Sequence, residues 1–160
     1  MNLDGALVLN TTPPKGVHIQ GNVILGRLVD LSPPIEINGT GSLVTIGDQC
    51  DIAAGVQINV ADSHLYCLGL SDEIDRRPIK IGAHVFIGAN AVILGGCDIG
   101  HHSVIGAGLV LPKGSVIPPY SLVALGYDKR LDIGESLVDP CVPHHVRLVL
   151  KPRYYEKGLA

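Results

Sequence analysis

The sequence predicts an all-β solenoid, and three observations carry this prediction. An aliphatic residue stands at every sixth position from residue 81 to residue 123, without exception. Glycine makes up 20 of the 160 residues and aromatic residues only 4%, a composition that suits tight corners around a narrow core. No Asn-Gly or Asp-Gly pair lies between the repeats, which disfavours a meander of hairpins. The repeated aliphatic residues are Ile81, Ile87, Ile93, Ile99, Ile105, Leu111, Ile117 and Val123.

The six-residue period indicates short strands rather than helices. Six is a multiple of two, so each repeat can form a strand with one aliphatic side chain pointing inward. On a helix the same positions would drift around the axis, and no single face could bury them all. Coils of three repeats would form a triangular prism in which the aliphatic side chains stack in ladders.

Size, charge and cysteine content limit the classes of protein to consider. A chain of 160 residues suffices for one domain with its own core. The formal net charge of −3 gives no reason to expect a nucleic acid partner. No apolar run reaches the ~18 residues of a membrane span, and an N-terminus with Asp4 and no basic start does not resemble a signal peptide. The four cysteines form no CxxC pair, so a reducing cytoplasm is the expected compartment, and Cys50 and Cys97 are predicted to be core residues.

One domain is predicted over residues 1–160, in three parts. Residues 1–45 carry apolar residues without a clean six-fold register and are interpreted as degenerate N-terminal coils. Residues 46–126 form the regular solenoid, from which residues 65–78, charged in their second half, project as a loop. Residues 127–160, interrupted by three prolines, form an irregular tail that is expected to cap the open end of the prism.

A histidine interrupts the repeat just before the projecting loop. Counting in sixes through Ile52 and Ile58 places the next aliphatic residue at position 64, which is His64, and the register resumes only at Ile81. Either His64 merely ends a ladder, or it is a catalytic residue. A neutral imidazole is well suited to accept a proton near pH 7, and a polar residue in a strict hydrophobic pattern favours the catalytic interpretation.

Two segments resemble a known family. Residues 79–108 read IKIGAHVFIGANAVILGGCDIGHHSVIGAG, residues 118–126 read PPYSLVALG, and Asp-Ser-His (62–64) precedes the loop that PIKIG (78–82) follows. Over about residues 46–126 the chain resembles the hexapeptide-repeat acetyltransferases, and among them the saccharide O-acetyltransferases of the maltose, galactoside and exopolysaccharide kinds. The resemblance implies a left-handed parallel β-helix, acetyl-CoA as the co-substrate, a saccharide as the acceptor and a homotrimer whose sites are shared between neighbouring subunits.

The resemblance also implies roles for individual residues. His64 matches the general base that removes a proton from the acceptor hydroxyl as its oxygen attacks the thioester. Ala89 and Ala107, one coil apart, match positions whose backbone contacts the pantetheine arm of acetyl-CoA. Lys113 matches a basic residue that meets cofactor phosphate, and Arg130 corresponds to a second basic residue near the C-terminal end of the family's pattern.

The neighbours of His64 leave several possibilities open. Asp62 could orient the imidazole, contact the acceptor as a substrate-binding residue, or serve as a hydrogen-bonded structural carboxylate. Cys67 could pair with His64 as a nucleophile, although spacing alone does not define that geometry. Direct transfer within a ternary complex needs no acyl-enzyme.

Other functions are alternatives. The same site could acetylate the amino group of a nucleotide-linked amino sugar or of an antibiotic, and a solenoid without catalysis could serve as an assembly scaffold. A γ-class carbonic anhydrase uses the same prism, but this chain has Ala89 and Leu94 where that family needs zinc-binding histidines. Because zinc requires at least three converging protein ligands, His84, His101 and His102 are interpreted as exposed corner residues, and no metal is expected.

Overall fold

The fold is nearly all β. It is described from a computed structural model that defines residues 7–8, 13–125 and 146–150. The strands are β1 (Leu7–Val8), β2 (Val17–Leu25), β3 (Asp30–Leu31), β4 (Ile35–Ile46), β5 (Asp51–Ile52), β6 (Gln57–Asn59), β7 (Ala61–Asp62), β8 (Asp75–Arg76), β9 (Ile79–Ile81), β10 (Phe86–Ile87), β11 (Val92–Leu94), β12 (Asp98–Ile99), β13 (Val104–Ile105), β14 (Val110–Leu111), β15 (Val116–Ile117), β16 (Ser121–Leu125) and β17 (Val146–Leu150). One short helix, α1, spans His64–Cys67 in the described part of the chain.

Three faces of parallel strands wind through five coils and enclose a triangular prism. Face A contains the first halves of β2 and β4, followed by β6, β11 and β14. Face B contains the second halves of β2 and β4, followed by β9, β12 and β15. Face C contains β3, β5, β10, β13 and β16. The predicted all-β parallel solenoid is therefore confirmed.

Three ladders of aliphatic side chains fill the prism. The inward residues of each face pair in register from one coil to the next, and those from Ile37 onward are no more than 2% exposed. Burying each such side chain contributes about 1.5–3 kcal/mol. The ladders are Ile19, Ile37, Ile58, Ile93 and Leu111 on face A; Leu25, Ile46, Ile81, Ile99 and Ile117 on face B; and Leu31, Ile52, Ile87, Ile105 and Val123 on face C.

The N-terminal coils follow the same repeat, contrary to the interpretation of residues 1–45 as lacking a six-fold register. Four ladder residues, Ile19, Leu25, Leu31 and Ile37, are spaced by six. The next, Ile46, comes nine residues after Ile37, because three additional residues enlarge the turn within β4. This insertion shifts the count, so the two halves of the repeat appear unrelated when the sequence is read from Ile46.

In the described part of the chain, the buried polar side chains at the corners have hydrogen-bond partners. Ser103 and Ser121 are at most 2% exposed, and both hydroxyls donate to the carbonyl of Pro118, at 3.2 and 2.6 Å. Cys50 and Cys97 are buried, as predicted, and burial raises the pKa of both thiols. These two cysteines therefore serve as small core side chains.

The coils stack so closely that one corner requires glycine. A Cβ atom at Gly88 would lie 2.4 Å from the backbone nitrogen of Ala107 in the next coil. Corners are named below by the faces they join. The A–B corner lies between β6 and β9, β11 and β12, and β14 and β15; the B–C and C–A corners follow in the same way.

The last described strand closes one edge. β17 pairs antiparallel with β16 over Val146–Leu150. Antiparallel addition at the end of face C covers backbone groups that would otherwise form an open sheet edge.

Candidate active site

The chain leaves the prism at the A–B corner of the third coil. The side chain of Asn59 at the end of β6 accepts a hydrogen bond from the Ala61 amide at 2.9 Å, which turns the chain outward. Val60 is the last buried residue before the excursion, and Ile79 in β9 is the first buried residue after it. Between them lie the antiparallel pair β7–β8 and helix α1, so the predicted loop over residues 65–78 lies within this excursion.

His64 and Asp62 form the centre of this corner. Oδ1 of Asp62 accepts hydrogen bonds from the His64 backbone amide at 3.2 Å and from Nδ1 of the His64 ring. Asp62 therefore binds both the backbone and the ring of the residue that begins α1. The bonds from the His64 ring and amide, followed by the contact with Lys113, lower the pKa of Asp62 to about 2.

The tautomer of His64 follows from this pairing. Asp62 is ionised at neutral pH and can only accept hydrogen bonds, so Nδ1 of a neutral imidazole must carry the proton. Nε2 is then the unprotonated nitrogen. The described residues provide no hydrogen-bond partner for Nε2, and the His64 side chain is 58% exposed.

Arginines tie the returning strand β8 to the prism. Nη1 of Arg76 donates to the carbonyl of Thr40 at 2.7 Å, and the side chain crosses Gly41 so closely that a Cβ there would lie 2.6 Å from Arg76 Cδ. Arg77 binds Asp75 through both Nε and Nη2, each at 3.1 Å. Arg76 thus anchors the returning end of the excursion to the second coil, and Arg77 fixes the orientation of the Asp75 carboxylate.

Lys113 reaches the same carboxylates from the fifth coil. Its ammonium lies 2.6 Å from Oδ2 of Asp75 and 3.3 Å from Oδ2 of Asp62, and its side chain is 26% exposed. Asp75, followed by Asp62, raises the pKa of Lys113, and Lys113, followed by Arg77, lowers that of Asp75. Lys113, which was expected to meet cofactor phosphate, is here paired with two acidic residues.

A cavity of about 390 Å³ opens beside His64. It is lined by Asp62, His64, Leu65, Ser71, Glu73, Ile74, Asp75 and Arg76. Its walls come from the excursion alone, and they combine polar groups with two aliphatic side chains. A small polar molecule in this cavity could therefore contact the imidazole.

The structure corrects the placement of His64 that the repeat predicted. Position 64 is not a ladder position, because the chain has already left the prism; Ile81 fills that position between Ile46 and Ile99. Asp62 lies outside the core as well, since its side chain is 31% exposed and binds His64 and Lys113. These two polar side chains therefore do not disrupt the hydrophobic core.

Two predicted cofactor residues lie at a different corner. Ala89 is half-buried and Ala107 is exposed at the C–A corner, one coil apart, where the amide of Gly108 donates to the Ala89 carbonyl at 2.8 Å. Within one chain, face A separates this corner from His64. Arg130 lies outside the described residues.

Three further histidines, His84, His101 and His102, lie at the B–C corner. His102 stacks on His84 with 4.5 Å between ring centroids and on Tyr120 with 5.0 Å, and Nδ1 of His101 lies 2.9 Å from Nδ1 of His102. Burial, followed by His84 and His101, lowers the pKa of His102. Within the described ranges, no group of three or more His, Cys, Asp or Glu side chains is arranged to hold a metal ion.

Two residues of the site escaped sequence reasoning. Asp75 and Arg77 lie in the charged half of the loop, but nothing in their spacing connects them with Lys113, which follows 38 and 36 residues later. Cys67 is exposed at the end of α1, and no hydrogen bond joins it to His64 among the described contacts. Over that same part of the chain, no helix has the length and apolar character of a membrane crossing.

Comparisons with known proteins agree with this architecture. Residues 78–113 match the model of the hexapeptide repeat of succinyl-transferase. A hexapeptide-repeat acetyltransferase from Vibrio cholerae O1 biovar eltor, solved with acetyl-CoA, is 29% identical, with a TM-score of 0.51 over 63% of this chain and 64% of that one. A galactoside acetyltransferase solved with coenzyme A is 31% identical, with a TM-score of 0.50 over 62% of this chain and 58% of that one. This chain thus spans less than two thirds of either enzyme.

A third structure extends the similarity of fold alone. AntD, an N-acyltransferase from Bacillus cereus in complex with dTDP and 3-hydroxybutyryl-CoA, is 15% identical, with a TM-score of 0.62 over 87% of this chain and 69% of that one. A search of curated protein sequences finds no significant match.

The described coils form a parallel β solenoid, consistent with the left-handed parallel β-helix that the sequence predicted, and residues 78–113 match a hexapeptide-repeat model. The predicted resemblance to the hexapeptide-repeat acetyltransferases, galactoside acetyltransferase among them, is confirmed.

Proposed function

We propose that this protein transfers the acetyl group of acetyl-CoA to a hydroxyl of a saccharide or glycan precursor. The observation that carries the proposal is the pairing of Asp62 with Nδ1 of His64, which leaves Nε2 unprotonated beside a cavity large enough for a sugar ring. The similarity to two acetyltransferases, solved with acetyl-CoA and with coenzyme A, supports the choice of donor.

The residues support a direct transfer in one ternary complex. Nε2 of His64 accepts the proton of the acceptor hydroxyl as its oxygen attacks the thioester carbonyl. The tetrahedral intermediate then expels the CoA thiolate, which takes the proton back from the imidazolium, so the products are an acetyl ester and free CoA. The Asp62 carboxylate stabilises the imidazolium that forms between the two steps.

The cofactor arm is assigned to the C–A corner, where Ala89 and Ala107 lie one coil apart. Because face A separates that corner from His64 in one chain, the arm and the base meet only if a neighbouring subunit brings its C–A corner to the A–B corner of the first. This supports a closed homotrimer with three shared sites. Four exposed apolar residues of the excursion, Leu65, Tyr66, Leu68 and Leu70, would gain cover in such an assembly.

Other parts of the proposal concern compartment and oligomeric state. The three cysteines in the described part of the chain are free, which suits a reducing cytoplasm. Light scattering coupled to size-exclusion chromatography tests the trimer: a mass of three chains is expected, and a stable monomer that retains full activity would contradict a shared site.

Product analysis tests the function. Purified protein is incubated with acetyl-CoA and a panel of neutral saccharides, amino sugars and nucleotide-linked amino sugars, and free CoA thiol is measured against a control without acceptor. The proposal expects acceptor-dependent thiol release and an ester that alkaline hydroxylamine cleaves. An amide product, which resists hydroxylamine, would replace O-acetylation by N-acetylation. No acceptor-dependent release, together with no thermal stabilisation by acetyl-CoA, would favour the scaffold.

A further inference from the structure

The antiparallel pair β7–β8 forms the stem of the excursion, and two acidic residues face each other there. Asp62 and Asp75 are register partners in the antiparallel pair β7–β8. Like charges directly opposite each other destabilise a strand pair. The Lys113 ammonium contacts both carboxylates, at 3.3 Å to Asp62 and 2.6 Å to Asp75, and offsets this repulsion. The stem therefore closes around a cation supplied by the fifth coil.

The two oxygens of Asp62 are divided between two partners. Oδ1 binds the His64 ring and amide, whereas Oδ2 faces Lys113. Asp75, the other partner of Lys113, is itself fixed by the two bonds from Arg77. A carboxylate bound at both oxygens cannot rotate about χ2 without losing a charge-assisted hydrogen bond. Lys113 thus limits the orientations in which Asp62 can receive the imidazole.

We propose that Lys113 is a positioning residue for His64, acting through Asp62 and the Asp75 side of the stem. This inference rests on the proposed role of His64 as general base. It gives Lys113 a role different from contact with cofactor phosphate, because the ammonium is already paired with two carboxylates in a partly buried place. It also gives a functional reason for the contact between the excursion and the fifth coil, which are far apart in sequence.

Kinetics of Lys113→Met, Lys113→Arg and the control Arg27→Met test the inference. Arg27 forms an exposed ion pair with Asp48 in the first two coils, so its loss removes a cation of similar kind away from the stem. Lys113→Met is expected to lower kcat about tenfold, a part of the ~10²–10⁴ that a general base supplies. It should shift the pH dependence of kcat/KM and leave the KM for acetyl-CoA within about twofold. Lys113→Arg should recover most of the rate, because a guanidinium can also bridge two carboxylates.

A second acetyl donor, 3′-dephospho-acetyl-CoA, distinguishes positioning by Lys113 from phosphate binding by Lys113. If Lys113 instead binds the 3′-phosphate, Lys113→Met will raise the KM for acetyl-CoA, keep kcat, and abolish discrimination against 3′-dephospho-acetyl-CoA. That pattern would overturn the inference. Equal discrimination in the wild type and in Lys113→Met supports it. Wild-type kcat and pH profile in Lys113→Met would overturn it as well.

A spectroscopic readout works without turnover. In ¹⁵N-histidine NMR spectra, with the His64 signal assigned by its absence in His64→Ala, wild-type His64 should show a protonated Nδ1. Lys113→Met should reduce that Nδ1–H population, and an unchanged spectrum would contradict positioning. If Lys113→Met does not fold, Lys113→Met/Asp75→Asn removes the cation together with one of the repelling anions; it should fold and still show the loss in kcat. Full activity of His64→Ala would instead refute the general base itself.

Discussion

Nδ1 of His64 and Oδ1 of Asp62 are hydrogen-bonded although only one residue separates them, because Asp62 ends a strand and His64 begins a helix. The same carboxylate oxygen caps the backbone of the histidine that it orients. Local chain geometry therefore brings the two side chains together. The more distant Lys113 then restrains the pair from the fifth coil.

Removing the charge of Asp62 should slow the reaction while the fold persists. The neutral side-chain amide of Asp62→Asn cannot stabilise the imidazolium of His64 as the carboxylate does. The kcat should therefore fall by about 10²-fold, within the range for general-base catalysis. The KM for acetyl-CoA should not change. Steady-state kinetics measure both, with Asp98→Asn, an exposed aspartate of β12, as the control. An unchanged kcat would show that Asp62 has only a structural role.

Acid should weaken the protein through Asp62. Its folded pKa of about 2 lies below the unfolded value near 3.9, so its contribution to stability is complete above about pH 4 and disappears as the pH falls towards 2. Asp75, whose pKa is also lowered, acts in the same direction. Thermal midpoints measured from pH 6 to pH 2 should therefore fall more steeply in the wild type than in Asp62→Asn. Parallel curves would contradict the ionised pair.

The histidine column should add a second pH dependence nearer neutrality. The folded pKa of His102 is lowered, so the unfolded chain takes up its proton first, and stability is lost as the pH falls below about 6.5. His102→Asn removes the titrating group, and asparagine accepts the positive φ of 56° at this corner. The variant should show a flatter thermal midpoint between pH 7 and pH 5. An equally steep slope would exclude His102 as its source.

Adjacent residues of β14 should differ sharply in their importance for stability. Leu111 is fully buried in the face A ladder, whereas Val110 is 50% exposed. Leu111→Ala should therefore lower the free energy of unfolding by about 2–5 kcal/mol, and Val110→Ala by no more than about 0.5 kcal/mol. Urea denaturation measures both values. Similar losses would mean that the inward and outward sides of this strand are assigned incorrectly.

The repeat could be predicted from the sequence because each ladder residue obeys a local rule of spacing. From Ile81 to Val123 nothing interrupts the count, and the structure follows it residue by residue. The three-residue insertion between Ile37 and Ile46 concealed the earlier coils, since a prism tolerates a longer corner without a change of register between its faces. A period in the sequence indicates where the strands lie, but it does not indicate how many residues a corner can accommodate.

Only the part of the site whose residues are close in sequence could be predicted. Asp62 and His64 could be singled out because they stand together at the break in the repeat. The contact of Asp62 with Lys113 joins residues 51 positions apart, and it depends on how coils three and five stack at one corner. Asp75 and Arg77 were missed for the same reason: a charge in a loop gives no sign of its partner until the stem is paired.

Turnover by His64→Ala tests the central claim most directly, because that imidazole both accepts and returns the proton in the proposed reaction. Acceptor-dependent release of CoA thiol is measured for wild type, for His64→Ala and for His18→Ala, an exposed histidine of β2, after matched thermal midpoints confirm that all three are folded. We predict a loss of about 10²–10⁴-fold in kcat for His64→Ala and none for His18→Ala. Wild-type turnover in His64→Ala would contradict the account.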